Sequence, residues 1–278
     1  MKNNILVLGG KGKTGRRIVE RLNKLGHNVR IGSRSENPAF DWDNPAGWSA
    51  VLEGMDSIYI TYQPDLAVPG AKEAIEALTK VAKEQGVKKL VLLSGKGEVE
   101  AEACEKLVIN CGLDYTIVRA SWFSQNFSES FFLGPILHGH VALPQADTKV
   151  PYVDAEDIAD VAVEALLDNK HNGAIYELTG SRMLTFKEVV AEIANATGRE
   201  ISFTPITLPE YTEMLEMHGV PEDYIWLINY LFVEVLDNEN NQIISHDIEK
   251  VLGRKAKDFS DYVSETAATG VWNQPVEA

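Results

Sequence analysis

A chain of 278 residues, 45% hydrophobic and 24% charged, can bury a sizeable core without disulfide or metal staples. Its 41 acidic residues outnumber the 26 basic ones, giving a formal net charge of -15, and no basic patch gathers along it, which argues against nucleic acid and anionic membrane as partners. The most apolar long run, Tyr224 to Leu236, is short and interrupted by Asn229 and Glu234, so it does not span a bilayer.

Taken in order, Ile5-Leu6-Val7-Leu8 reads as a buried strand, and Gly9, Gly12 and Gly15 follow at a spacing of three. A helical pattern then begins, with Ile18, Val19, Leu22 and Leu25 apolar on one side. A strand, a glycine turn and a helix N-terminus form an anion site: the first glycine permits a sharp turn, the second lets the backbone approach a pyrophosphate, and the third lets the helix pack closely. The reading is a dinucleotide site over Gly9, Gly10, Lys11, Gly12, Lys13, Thr14 and Gly15, although the spacing differs from G-x-G-x-x-G. Gly12-Lys13-Thr14 also resembles the tail of a P-loop, but Val7 stands where that loop needs its first glycine.

Asn28 to Gly32 is a second strand, followed by Ser33-Arg34-Ser35. NAD-binding proteins usually carry an acid here for the ribose 2′-hydroxyl. A guanidinium between hydroxyls instead suits a 2′-phosphate, which points to NADP(H). Asp41 and Trp42 can line the adenine edge, while Trp42 and Trp48 equally suit packing. A third strand over Asp56–Thr61 ends in Tyr62-Gln63, a helix runs from Ala71 to Gln85, and a fourth strand over Val87–Leu93 ends in Ser94-Gly95-Lys96. A helix over 98–110 and a fifth strand over Asp114–Arg119 complete a repeating βα rhythm, which predicts a Rossmann-like, doubly wound parallel sheet.

After residue 119 the pattern changes to an aromatic-rich excursion, with strand-like pieces at Val141–Leu143 and Val150–Val153. Asp154 reads as a helix N-cap, Ala174–Leu178 as a strand, and Thr185 with Glu188 as a capping box for a helix closed by Gly198. The remainder to Trp272 is mostly helical. The expected organisation is a nucleotide-binding domain over 1–120 plus 154–180, and a smaller, mostly helical substrate lobe over 121–153 plus 181–278. Cys104 and Cys111, seven apart on one predicted helix, lie about 10 Å apart by helical rise, too far for a disulfide, and no zinc spacing surrounds them. Reduced thiols and no visible signal peptide point to the cytoplasm, as a monomer or homodimer.

The motifs together resemble the NmrA-like family, atypical members of the short-chain dehydrogenase/reductase superfamily, over nearly the whole length. They are the glycine turn, Arg34, Phe40-Asp41-Trp42, Gly112–Arg119, Trp122–Phe127 and Val150–Ala159. The Phe40-Asp41-Trp42 segment, the Trp122–Glu129 segment and Gly253-Arg254 are most similar to festuclavine-dehydrogenase-like reductases. The resemblance implies NADP contacts at Gly9–Gly15, Ser33 and Arg34, adenine contacts at Asp41 and Trp42, and ribose contacts at Thr61, Tyr62 and Gln63. It also implies that Ser94, Gly95, Lys96, Trp122 and Phe123 approach the nicotinamide half.

The Tyr-x-x-x-Lys pair of typical short-chain dehydrogenases is absent; near its expected place stands Glu102-Ala103-Cys104-Glu105-Lys106. Ser94 and Lys96 are the candidate catalytic groups, the lysine either donating a proton or holding a phosphate or ribose. Tyr62 and Tyr152 are alternative phenols, and Tyr62, Trp122, Phe123, Asn126 and Tyr152 are the candidate substrate wall. His138-Gly139-His140 lacks a third ligand, so no metal site is expected. The expected activity is NADPH-dependent reduction of a small, apolar, electron-poor substrate, for which the cofactor carries the hard step. The alternatives are a non-catalytic NADP(H) sensor and a non-redox isomerisation.

Overall fold

The computed structural model describes residues 2–273, apart from the side chain of Asn240. The chain opens with β1 (Asn4–Leu8), α1 (Lys13–Lys24), β2 (Asn28–Gly32), α2 (Trp48–Leu52), β3 (Ser57–Ile60), α3 (Ala71–Glu84), β4 (Lys89–Gly95), α4 (Val99–Asn110) and β5 (Asp114–Ala120). It continues through α5 (Asn126–Glu129), α6 (Leu133–His138), β6 (His140–Leu143), α7 (Ala155–Leu167), β7 (Ala174–Leu178), α8 (Phe186–Thr197) and β8 (Ser202–Pro205). The last helices are α9 (Leu208–Met217), α10 (Glu222–Tyr230), α11 (Asp247–Leu252) and α12 (Phe259–Ala268).

Six strands form one parallel sheet in the order β2-β1-β3-β4-β5-β7. Ile5 to Leu8, Ile58 to Ile60 and Leu90 to Leu92 are fully buried, as a parallel sheet covered on both faces requires. The strand order reverses between β1 and β3, which puts the ligand crevice of such a sheet beyond the carboxyl ends of those two strands. A second, two-stranded parallel sheet pairs β6 with β8.

The chain divides into two compact units. One holds Met1–Ala120, Ala155–Leu178 and Asp247–Arg254, the other Ser121–Asp154, Thr179–His246 and Lys255–Ala278; Met1 and residues 274–278 lie outside the described residues. The expectation that 181–278 belongs wholly to the lobe needs correction, because Asp247–Arg254 joins the sheet unit. Burial of Ile248 and a set of polar contacts hold it there. The Asp247 carboxylate accepts from the Glu177 backbone N–H at 3.0 Å, and the Arg254 guanidinium reaches Asp157 at 2.6 Å and Asp160 at 2.5 Å on α7. On the same helix, Glu156 pairs with Arg17 (2.5 Å) and Arg21 (2.7 Å), and Asp160 also pairs with Arg21 (2.6 Å). One acidic face of α7 thus clamps α1 and α11.

In the second unit an aromatic cluster that includes Phe127, Phe132, Tyr152, Phe186 and Phe232 forms the core. Thr185 and Glu188 form a reciprocal cap on α8, and Gly198 closes it at φ 64°. The segment over Val150–Val153 is not a strand: it makes only two isolated bridges, Phe123 with Val153 and Val150 with Leu184. Pro151 lacks the N–H that a continuous ladder would use. The Tyr224–Leu236 run splits into α10 and a wide π-helical turn over Leu231–Leu236, and no helix among the described residues is long and apolar enough to cross a membrane.

Replacing Arg254 by Met removes the guanidinium from Asp157, whose side chain is 1% exposed. Because Arg254 itself is 44% exposed, the loss should fall below that of a fully buried pair, at about 1–2 kcal/mol. An unchanged urea midpoint would show that α11 is held by other contacts.

Candidate functional site

The glycine turn is shaped by the chain's own close contacts. Gly9 has φ +63°, a conformation that side chains resist, and a Cβ there would come within 2.5 Å of Thr61 Cγ2. A Cβ on Gly10 would meet Ile31 Cγ2 at 2.8 Å, and one on Gly15 would meet Gly9 O at 2.2 Å and Gly10 Cα at 2.8 Å. Gly12 differs: its Cβ would meet only Gly9 O, at 3.2 Å. Gly12 is also the N-cap of α1, whose first turn carries no acid. Thr14 faces inward, where its Oγ1 accepts from the buried Tyr59 hydroxyl at 2.9 Å. That bond fastens α1 to β3 and turns the Thr14 side chain away from the crevice, leaving its backbone at the helix N-terminus. Lys11 reaches back to the end of β2, donating to Ser35 Oγ at 2.7 Å and pairing with Glu36 at 2.7 Å.

Beyond β2, Ser33 Oγ and Ser35 Oγ lie 3.0 Å apart. Arg34 between them is exposed. Phe40 and Trp48 stack at 5.6 Å, with Trp42 edge-on to both and 4.7 Å from the Tyr62 ring. Trp48 Nε1 donates to Asp41 O at 2.7 Å. Trp42 therefore packs in a corner of aromatic rings while staying partly exposed, and the main chain of Asp41 anchors that corner. Thr61, Tyr62 and Gln63 follow β3 directly, with Thr61 against Gly9. Partial burial, with help from the Asp43 charge, raises the Tyr62 phenol above its ordinary value, which makes it a poorer acid.

At the carboxyl ends of β4, β5 and β7 lies a network of charges. Ser94 is buried and donates to Glu105 Oε1 at 2.7 Å. The same carboxylate takes two further bonds from Arg119, from Nε at 2.8 Å and from Nη2 at 2.6 Å. Arg119 also lies 3.7 Å from Glu177, which in turn is 3.6 Å from the Lys96 ammonium. The hydrogen bond with Glu105 holds the guanidinium firmly charged. Of the two candidate catalytic groups, Ser94 therefore points its hydroxyl into the protein, and Lys96 is buried with a carboxylate nearby. Glu102, the carboxylate that stands where a catalytic phenol would be, is partly exposed and lies 3.9 Å from Arg119, while the oxygens of its neighbour Glu105 are occupied by Arg119 and Ser94. Sequence reasoning singled out neither Asp65 nor Glu98 as a site residue. Both are acids sequestered near the end of β4, and the only signal was the glycine at position 95 three residues before Glu98.

The remaining candidate residues belong to the second unit. Trp122 stacks on Phe132 at 6.2 Å and meets Phe186 and Phe232 edge-on, so much of its surface serves the core. Tyr152 is buried between Phe127, Phe186 and Phe259, and its hydroxyl has no partner. Burial pushes that phenol well above its ordinary value, which makes it a poorer acid, and its ring contacts place it in the aromatic core of the unit. Phe123 and Asn126 are partly exposed, linked by a backbone bond from Asn126 N–H to Phe123 O at 3.0 Å. Among the described residues no group of His, Cys, Asp or Glu side chains is arranged to hold a metal.

Known proteins are similar to this chain along its length. Prestalk A differentiation protein A of Dictyostelium discoideum is 28% identical over 282 residues, covering 95% of this chain and 93% of that protein. Festuclavine dehydrogenase easG of Aspergillus fumigatus is 28% identical, covering 95% and 98%. Among solved structures, NADPH-dependent quinone oxidoreductase QOR2 of Escherichia coli, complexed with NADPH, superposes with a TM-score of 0.75 at 20% identity, covering 94% of this chain and 99% of that one. NmrA, a negative transcriptional regulator solved with NAD, gives 0.72 at 18% identity, covering 98% and 99%. These two show the fold. The pattern of the NmrA-like family matches residues 1–265, and the chain belongs to that family.

Proposed function

We propose that this protein binds NADP(H) and reduces a small, apolar, electron-poor acceptor of the quinone, iminium or enone class. Gly12 carries the reading. A Cβ on Gly9, Gly10 or Gly15 would come within 2.8 Å or less of other atoms, whereas one on Gly12 would meet a single atom, Gly9 O, in a tight contact at 3.2 Å. A glycine at the N-cap of a helix without acid in its first turn fits a diphosphate lying against the backbone, stabilised by the helix dipole. Arg34 supports the phosphorylated form of the coenzyme. It is exposed and makes no hydrogen bond or ion pair among the described residues, so its planar fork is available for a 2′-phosphate beside Ser33. Relatives named as festuclavine dehydrogenase and NAD(P)H azoreductase favour reductive chemistry.

When bound, the coenzyme supplies the hydride. The chain's part is to hold and orient: Gly9–Gly15 and Arg34 fix the phosphates, Trp42 and Asp41 border the adenine, and Thr61–Gln63 border the ribose. Hydride transfer to an electron-poor carbon relies on positioning more than on a strong protein acid. That suits an edge where Ser94 donates to Glu105. The same commitment of Ser94 favours a second reading, an NADP(H)-responsive regulator without turnover, and NmrA itself is described as a transcriptional regulator.

Titration calorimetry should register NADPH binding more tightly than NADH, and Arg34→Ala should weaken NADPH by at least about tenfold while sparing NADH. Equal losses for both coenzymes would remove the 2′-phosphate role. Gly12→Val should abolish binding with the circular dichroism of the parent, whereas Gly15→Ala should lose stability by a few kcal/mol, on the order of other core clashes. Nucleotide binding undiminished by Gly12→Val would defeat the diphosphate assignment. Steady NADPH oxidation with a panel of quinones, imines and enones separates the reductase from the regulator, which should bind the coenzyme and oxidise none.

A further inference from the structure

Two carboxyl groups at the carboxyl end of β4 take no part in the roles above. Glu98 is 5% exposed. It occupies the N-cap of α4, yet its side chain caps no helical N–H. The carboxyl folds instead over Gly95, where a Cβ would come within 1.9 Å of Oε1 and 2.5 Å of Oε2. Its Oε2 is buried without a hydrogen-bond partner. The companion of this carboxyl is Asp65, in the loop between β3 and α3, to which it is hydrogen-bonded. Asp65 in turn organises that loop: its Oδ1 accepts from Ala67 N–H at 2.8 Å, and its carbonyl accepts from Val68 N–H at 3.4 Å.

The charged groups with the strongest influence on this pair are two acids of α4, Glu100 and Glu105. Arg119, the nearby guanidinium, is engaged by Glu105. On the α3 side, Lys72 and Glu73 act on Cys104, whose Sγ lies 4.0 Å from Leu66 O behind the same loop. Two carboxyl groups in contact cannot both ionise without repulsion, and a hydrogen bond between them requires a proton.

We infer that Asp65 and Glu98 share one proton and act as positioning residues, a latch that fastens loop 61–70 onto the end of β4. The latch stands on its own geometry; its consequence for coenzyme binding, through Thr61, Tyr62 and Gln63, rests on the function proposed above. Burial first, and then the Asp65 charge, raise the Glu98 carboxyl well above its ordinary value of 4.5; burial likewise raises Asp65. An acid raised in the folded state contributes fully below its unfolded value and loses that contribution as pH rises through its folded value. Alkaline conditions therefore release the loop, and acid conditions hold it.

The test is amide hydrogen exchange of residues 61–70 in the full chain, corrected for intrinsic rates, with Glu98→Gln alongside. From about pH 4.5 upward, protection in the parent should fall by up to tenfold per pH unit until the folded value is passed. The amide introduced by Glu98→Gln donates to Asp65 at every pH, so its protection should stay level. A level parent profile, or an equal slope in both proteins, overturns the latch. NADPH affinity, measured over the same range, should decline in the parent and hold in the variant. If exchange follows the latch while neither protein binds NADPH, the latch stands and the coenzyme reading falls. Should Glu98→Gln not fold, Asp65→Asn, whose amide can donate to Glu98, serves instead, and a slope as steep as the parent's counts against the proposal.

Discussion

The sheet unit depends on one backbone contact, the approach of α1 to the turn that follows β1. Gly15 lies so near Gly9 and Gly10 that no Cβ fits between them. That contact brings the helix N-terminus up to the carboxyl end of the sheet, at the point where strand order reverses. It also sets Thr14 against Tyr59 of β3 and aligns Arg17 and Arg21 with the acidic face of α7. Moving α1 outward by the width of a methyl group would disturb the turn, the buried hydroxyl pair and the clamp together, because close-packed interiors transmit such shifts.

The opposite feature of the unit is polar. The ends of β4, β5 and β7 carry Ser94, Glu105, Arg119, Glu177 and Lys96 in a run of hydrogen bonds and ion pairs. Such networks are rigid when their members are satisfied. Their cost here is chemical freedom, since a serine that donates to a carboxylate and a carboxylate that holds an arginine are poor candidates to exchange protons with a substrate. Orientation and electrostatics are what this edge offers, and the absence of a Tyr-x-x-x-Lys pair is consistent with it. Glu98 and Asp65 are linked to each other beside that network, and the charges of Glu100 and Glu105 act on Glu98.

Much of the fold was legible because its signals are local. Apolar runs marked the buried strands, glycine and proline marked their ends, and the Thr185–Glu188 box marked a helix to within a residue. The glycine turn and Arg34 were legible for the same reason, as residues of special geometry or charge beside a strand end. The substrate wall was less so. Trp122 and Tyr152 sit in motifs of the family, but an aromatic side chain serves a core or a cleft with equal ease; in the structure Tyr152 is buried in the aromatic core, and Trp122 packs against it while partly exposed. Arg254 was legible as part of a motif, yet its pairing with Asp157, nearly a hundred residues earlier, was not.

Taken by itself, the sequence determined the parallel sheet, the glycine turn, the helix caps and the basic residue that follows β2, since each is written in spacing over a few residues and follows from backbone geometry and periodic burial. The tertiary structure alone decided that Asp247–Arg254 joins the sheet unit, that Ser94 donates inward, and that the Glu98 carboxyl folds over Gly95 and meets Asp65. Those outcomes depend on which side chains meet after distant segments have packed, and contact between charges far apart along the chain leaves no periodic trace.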